Sequence, residues 1–127
     1  MARIEGNCLE VCEAAEFVAI VTHGDDGPHV VGNWGDYMRK LGIEADTIVL
    51  PVGIYRKTEE NLRKNGRIQL LVASRKVQGT RSPGQGYLIT GSAKIVSTGE
   101  VADTVKAAFP WARGALVITV EDIQAQL

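Results

Sequence analysis

A mainly β protein, a six-stranded antiparallel barrel with short flanking helices, is the fold class this sequence predicts. Three observations carry the prediction. Six runs rich in Val, Ile and Leu have the length and composition of strands. Turn chemistry separates neighbouring runs, most plainly at Gly24-Asp25-Asp26-Gly27. Strands and helices do not alternate strictly, so hairpin connections are expected in place of a parallel α/β sheet.

The elements follow in order. Asn7 reads as an N-cap ahead of a short amphipathic helix over Cys8–Ala15. Phe17–Thr22 is a β-branched strand, and the turn after it predicts a hairpin partner at Pro28–Val31. Met38–Glu44 reads as one helical turn and a loop. Ile48–Val52 is the next strand. Thr58–Asn65 has helix composition and stops at Gly66. Arg67–Ser74 is a strand. Gly79–Gly86 holds three glycines and Pro83, and reads as a loop. Tyr87–Val96 alternates as a long strand, Gly99–Ala108 reads as a third helix, and Ala115–Val120 is the last strand. The tail ending at Gln126-Leu127 is expected to fray.

At 127 residues and 45% hydrophobic content, the chain fits one domain, 1–127, with a real core. A net charge of -1 argues against a nucleic-acid surface. No apolar run approaches the ~20 residues a membrane-spanning helix needs. Met1–Gly6 lacks the apolar segment of a secretory leader, so a cytoplasmic location is expected. Charge is concentrated, however: Arg56, Lys57, Arg63, Lys64, Arg67, Arg75, Lys76 and Arg81 are eight of the 14 basic residues. A basic centre in a near-neutral protein suits a small anion, although a solvated helix face explains it as well.

Lys57-Thr58 is the sharpest local feature. A strand leads into a helix there, and a hydroxyl stands in position to cap it. The unpaired N–H groups of the first turn, the helix dipole and the Lys57 charge all favour a phosphate. Trp34 and Trp111 lie at element ends beside small or turn residues, where a flat aromatic ligand could pack on them; two plugs at barrel ends are the competing reading. Together these features suggest a flat aromatic phosphate such as flavin mononucleotide (FMN). Other chemistry finds less support. His23 and His29, the two histidines, flank one turn, which makes a catalytic triad hard to build. With Asp25 and Asp26 they match no standard zinc spacing, and turn chemistry accounts for the aspartates. Cys8 and Cys12, four apart on one helix, fit disulfide geometry poorly and read as buried thiols.

The ordered set of segments resembles the small FMN-binding proteins of the pyridoxamine-phosphate-oxidase-like split-barrel superfamily. It runs from Phe17–Thr22 with Gly27-Pro28-His29 through Trp34, Val49–Gly53 and Lys57-Thr58-Glu59. It continues with Ser74–Val77, Pro83–Ile89, Gly91-Ser92-Ala93, Trp111-Ala112-Arg113 and Ala115–Val120. The resemblance implies a six-stranded antiparallel split β-barrel that forms a homodimer with FMN at its interface. It implies that Lys57 and Thr58 bind the phosphate, that Gly32, Asn33 and Trp34 line the flavin, and that Ser74, Arg75 and Lys76 lie near the ribityl-phosphate side. It places Trp111 beside the ring, and Glu16 and Leu127 where the second subunit reaches it, which would order the tail. Gly32 departs from the pattern, since relatives more often carry a polar side chain there; Tyr37–Asp46 is slightly longer than in relatives. The implied role is redox or electron transfer with a partner protein. A flavin-dependent oxidase or reductase acting on a small molecule, and a haem or deazaflavin binder on the same barrel, are the alternatives.

Overall fold

The computed structural model describes residues 2–127. Its elements are α1 (Gly6–Ala14), β1 (Phe17–Gly24), β2 (Gly27–Trp34), α2 (Gly35–Leu41), β3 (Thr47–Val52), α3 (Arg56–Lys64), β4 (Arg67–Gln78), β5 (Pro83–Val96), α4 (Glu100–Ala108) and β6 (Gly114–Gln126). The six strands form one antiparallel sheet in the order β2-β1-β4-β5-β6-β3. The sheet curls into a half-barrel whose edge strands, β2 and β3, are not paired with each other. This is the expected split barrel.

Alternation decides which face is inside. Val18, Ile20 and Thr22 of β1 point inward opposite Val72 and Leu70 of β4. Ile48 and Leu50 of β3 face Ile118 and Leu116 of β6, and Leu70 faces Ile89 of β5. These side chains form the main buried cluster, and successive residues of each strand leave it for the other face. The curl has a local cause. Thr90 pairs with Asp122 but Gly91 pairs with Val120, so Glu121 is an extra residue that bulges β6. Gly91 is required at the bulge, because a β-carbon there would lie 2.0 Å from the Thr119 carbonyl oxygen.

Four expectations change. Asn7 does not cap α1, which starts at Gly6 with Glu5 in the N-cap position. Its side chain is used across the fold instead, donating to the Gln78 carbonyl at 3.2 Å and accepting from the Tyr87 hydroxyl at 2.6 Å. The helical turn expected within Met38–Glu44 is present at Met38–Leu41, but it belongs to a longer helix, α2, that begins at Gly35. Seven residues are too few to show helical periodicity, and the helix stops at Gly42, whose φ is 90°. Pro83–Gly86 belongs to β5, with Gln78 paired to Pro83 and Ser74 to Gln85. The tail is strand up to Gln126, which pairs with Gly86 and accepts a 2.8 Å bond from the Gln85 amide.

α1 and α3 pack on the main buried cluster, whereas Val105 and Phe109 of the α4 segment pack with Val49, Val96 and Val117 in a second cluster on the other face of the sheet. α1 buries Cys8, Val11 and Cys12, one face at i, i+3 and i+4 spacing. Its C-terminal carbonyls are satisfied from outside: Arg39 of α2 donates to the oxygens of Cys12 at 3.2 Å and Ala15 at 2.6 Å. α3 buries Thr58, Asn61 and Leu62, and Asn61 donates to the buried Thr22 hydroxyl at 3.1 Å. Among the described residues no helix is long and apolar enough to cross a membrane.

Candidate functional site

The gap between the two edge strands is not empty of structure. It is a groove of about 460 Å³ lined by Gly32, Asn33 and Trp34 from the end of β2, by Pro51 and Gly53 from β3, and by Phe17, Tyr37, Ile54, Tyr55 and Trp111. Pro51 suits this place, since an edge strand does not need its missing N–H. Two side chains bridge the gap. The Asn33 amide donates to the Pro51 carbonyl at 3.2 Å, and the Tyr55 hydroxyl donates to the Gly32 carbonyl at 2.6 Å. The Asn33 side-chain oxygen accepts from the Trp34 N–H at 2.8 Å, which fixes the turn into α2.

The walls are aromatic and open to solvent. Trp34 is 50% exposed and Trp111 is 54% exposed. The structure thus brings the two indoles, 77 residues apart in sequence, to one groove. Trp111 stacks at a tilt against Tyr37 and Phe109, with ring centroids 5.8 and 5.6 Å away. Phe17 meets Trp34 edge-on at 6.0 Å. Gly32 explains itself here: a β-carbon would lie 2.0 Å from the tip of the Phe17 ring, so this ring occupies the space a side chain at 32 would take.

At one side the groove wall, Gly53-Ile54-Tyr55, runs directly into α3. Arg113 holds that connection in shape. Its guanidinium donates to the carbonyls of Gly53 at 3.1 Å and Ile54 at 2.6 Å, and to Glu59 on α3 at 3.2 Å. The N-cap of α3 is Tyr55, in the left-handed region at φ 45° and ψ 38°, and no side chain caps the helix. The amides of Arg56, Lys57 and Thr58 therefore lack intrahelical acceptors. Thr58 is not the cap that its position suggested: it sits within the first turn, fully buried, and its hydroxyl has no hydrogen-bond partner. Lys57 stands beside it and pairs with Asp26 of the β1–β2 turn at 3.3 Å. That lysine holds the exposed Asp26 carboxyl below its ordinary pKa. Asp25, the next residue in the turn, pairs with Lys64 at 3.1 Å.

The remaining predicted residues fall elsewhere on the single chain. Glu16 and Lys76 line a neighbouring groove of about 540 Å³ that shares Trp34 and Tyr37 with the first. Ser74, Arg75 and Leu127 line a third, of about 560 Å³, that shares no residue with the first. The Ser74 hydroxyl accepts from the Lys76 N–H at 3.1 Å, and Leu127 is 86% exposed. Neither His23 nor His29 lines the first groove, so neither offers a haem ligand there. Among the described residues no three His, Cys, Asp or Glu side chains are grouped to hold a metal. Cys8 and Cys12 are buried free thiols; the hydrogen bond to Cys8, with burial, pushes the Cys12 thiol well above the usual thiol range.

Sequence reasoning missed Tyr55, Arg113 and Tyr37. Arg113 was only part of a family segment, and Tyr37 fell in a stretch with no periodic signal. Tyr55 stood two residues before Lys57, but nothing in sequence announces a left-handed tyrosine.

A split half-barrel with an aromatic groove at the split and an uncapped, basic helix start beside it defines a small-ligand-binding β protein. Comparison with known proteins narrows this. The family model described as pyridoxamine 5'-phosphate oxidase matches residues 4–126, and the chain belongs to that family. It is 42% identical over 124 residues to an "FMN-binding protein" of Nitratidesulfovibrio vulgaris (strain DSM 19637 / Miyazaki F), covering 98% of this chain and 99% of that one. Among solved structures, a variant of Group A Streptococcus HupZ superposes with a TM-score of 0.79 at 20% identity, covering 97% and 99% of the two chains. An FMN-binding protein from Syntrophomonas wolfei subsp. wolfei superposes with a TM-score of 0.60 at 15% identity, covering 93% and 82%. These two share the fold.

Proposed function

We propose that the chain binds FMN in the groove at the split and works as a redox flavoprotein. The observation that carries the reading is the Thr58 hydroxyl, buried without a partner at the uncapped, lysine-flanked start of α3, the helix whose N-cap Tyr55 lines the aromatic groove. A phosphate oxygen is the acceptor that this hydroxyl and the first-turn amides lack. Lys57 adds the charge-assisted bond, exchanging Asp26 for phosphate. Trp34 and Trp111 offer flat faces to the flavin ring. The name of the 42%-identical relative supports the same ligand.

FMN, when bound, supplies one- and two-electron transfer. The chain's own part is to hold the phosphate at Lys57 and Thr58, to orient the ring against Gly32, Asn33 and Trp34, and to shield it with aromatic walls. The working form in this reading is a homodimer. Ser74, Arg75 and Leu127 do not share the groove in one chain, and a second copy would bring such a set to the flavin. The outer face of the sheet supports this: Phe17, Val30 and Leu71 are exposed on neighbouring strands β1, β2 and β4.

The test is binding of two ligands that differ in one group. Lys57→Ala is expected to weaken FMN binding far more than riboflavin binding, because riboflavin has no phosphate. Equal losses for both, or a purified protein that takes up neither flavin in the visible spectrum, would overturn the assignment.

A further inference from the structure

We infer that Tyr55 is a positioning residue that sets the spacing between the two ends of the ligand site, tying the start of α3 to the far wall of the split through its bond to the Gly32 carbonyl. The inference rests on the FMN reading above and adds a residue to it. Three observations converge on this side chain. Tyr55 is the N-cap of α3, so its backbone aims the free amides of Arg56, Lys57 and Thr58. Its hydroxyl reaches across the gap to β2, 23 positions earlier, at 2.6 Å. Its ring lines the groove between those two points and packs on the core below.

The backbone shows that the side chain matters here. Besides the terminal Leu127, Tyr55 is the only non-glycine residue with a positive φ among the described residues. A bulky side chain is strained in the left-handed region, and glycine adopts it freely. The tether is what glycine could not provide. It also persists across ordinary pH, since burial holds the phenol protonated beyond its usual range. β2 and β3 share no ladder, so across the seam itself the groove is spanned by the Tyr55 and Asn33 bonds, while α3 is held from its other side by Asn61 on Thr22 and by the Lys57–Asp26 pair. A ligand with a ring at one end and a phosphate at the other needs that span fixed before it binds.

Tyr55→Phe keeps the ring and deletes the tether. The expected result is a loss of about fivefold in FMN affinity, the size of one hydrogen bond. Riboflavin, held at the ring end alone, is expected to bind nearly as before, and the ligand-free protein to lose only the modest stability of that one hydrogen bond. Tyr55→Gly, which relieves the backbone strain, is expected to lose the preference for FMN as well. In a cycle with Lys57→Ala, the Tyr55→Phe effect on FMN should shrink, because the phosphate end is already released. Equal losses for both flavins, or no loss for either, would overturn the spacing role while leaving the FMN reading intact. A wild-type protein that binds neither flavin would sink both.

Discussion

The buried hydroxyl of Thr58 is an energetic liability in the ligand-free chain. An unpaired buried polar group destabilises a fold by about 1–3 kcal/mol. Valine has the same shape and nearly the same helix propensity, without the hydroxyl. Thr58→Val should therefore raise the melting temperature of the flavin-free protein and weaken FMN binding at the same time. Thermal unfolding and ligand titration on one preparation check it. A variant that is both less stable and equally tight for FMN would show that the hydroxyl serves the core and not the ligand. Lys57 differs because it is already paired with Asp26, on the surface, where an ion pair contributes little. Its positive charge was plain in the chain, and so was the start of a helix. That Thr58 would be orphaned, and that Asp26 would be the resident partner of Lys57, depend on how the β1–β2 turn lies against α3, which no local pattern encodes.

Among the elements, β5 and β6 give the half-barrel its curl, and the bulge at Glu121 is the hinge of that curl. A methyl group at Gly91 would meet the Thr119 carbonyl, which is backbone and cannot swing aside. Gly91→Ala should cost about 3 kcal/mol or more, in the range of severe core defects, and chemical denaturation measures it. Near-wild-type stability would show that the bulge relaxes around the methyl. The strands themselves were legible, because β-branched runs such as Thr47–Val52 and Gly114–Val120 bury alternate residues in register. α2 was only partly legible, because it is barely two turns long and Met38 is its single buried large side chain. The extension of β5 to Pro83 was hidden because glycines and a proline are tolerated where β4 offers a partner; composition alone speaks for a loop.

For the molecule as a whole, the outer face of β2, β1 and β4 is the apolar surface that the proposed homodimer would cover. Phe17 and Leu71 leave apolar surface on adjacent strands β1 and β4, and Ala19, two residues after Phe17, pairs directly with Leu71. Leu71→Asp places a charge on that face without touching the core, because the side chain points outward. If the proposed homodimer of 13.7 kDa chains forms through this face, the expected outcome is its conversion to monomer, with FMN affinity lost in parallel. Light scattering and flavin titration read the two effects. A monomer with undiminished FMN binding would show that one chain makes the complete site, and that Ser74, Arg75 and Leu127 serve something else.

The residue order alone carried the β class, the six strands, the basic helix start at Lys57-Thr58 and the resemblance that names the family. All of these are properties of neighbours in the chain, where side-chain alternation and turn chemistry act. The groove is another matter. Trp34 and Trp111 became two walls of one site, Asn33 and Tyr55 became bridges over an unpaired seam, and Gly32 became the space left for Phe17, only once β2 and β3 were set at opposite edges of one sheet. The reason is physical: a site at a seam is made by strands that do not pair, and hydrogen-bond pairing across a sheet is a long-range choice that the local sequence does not record.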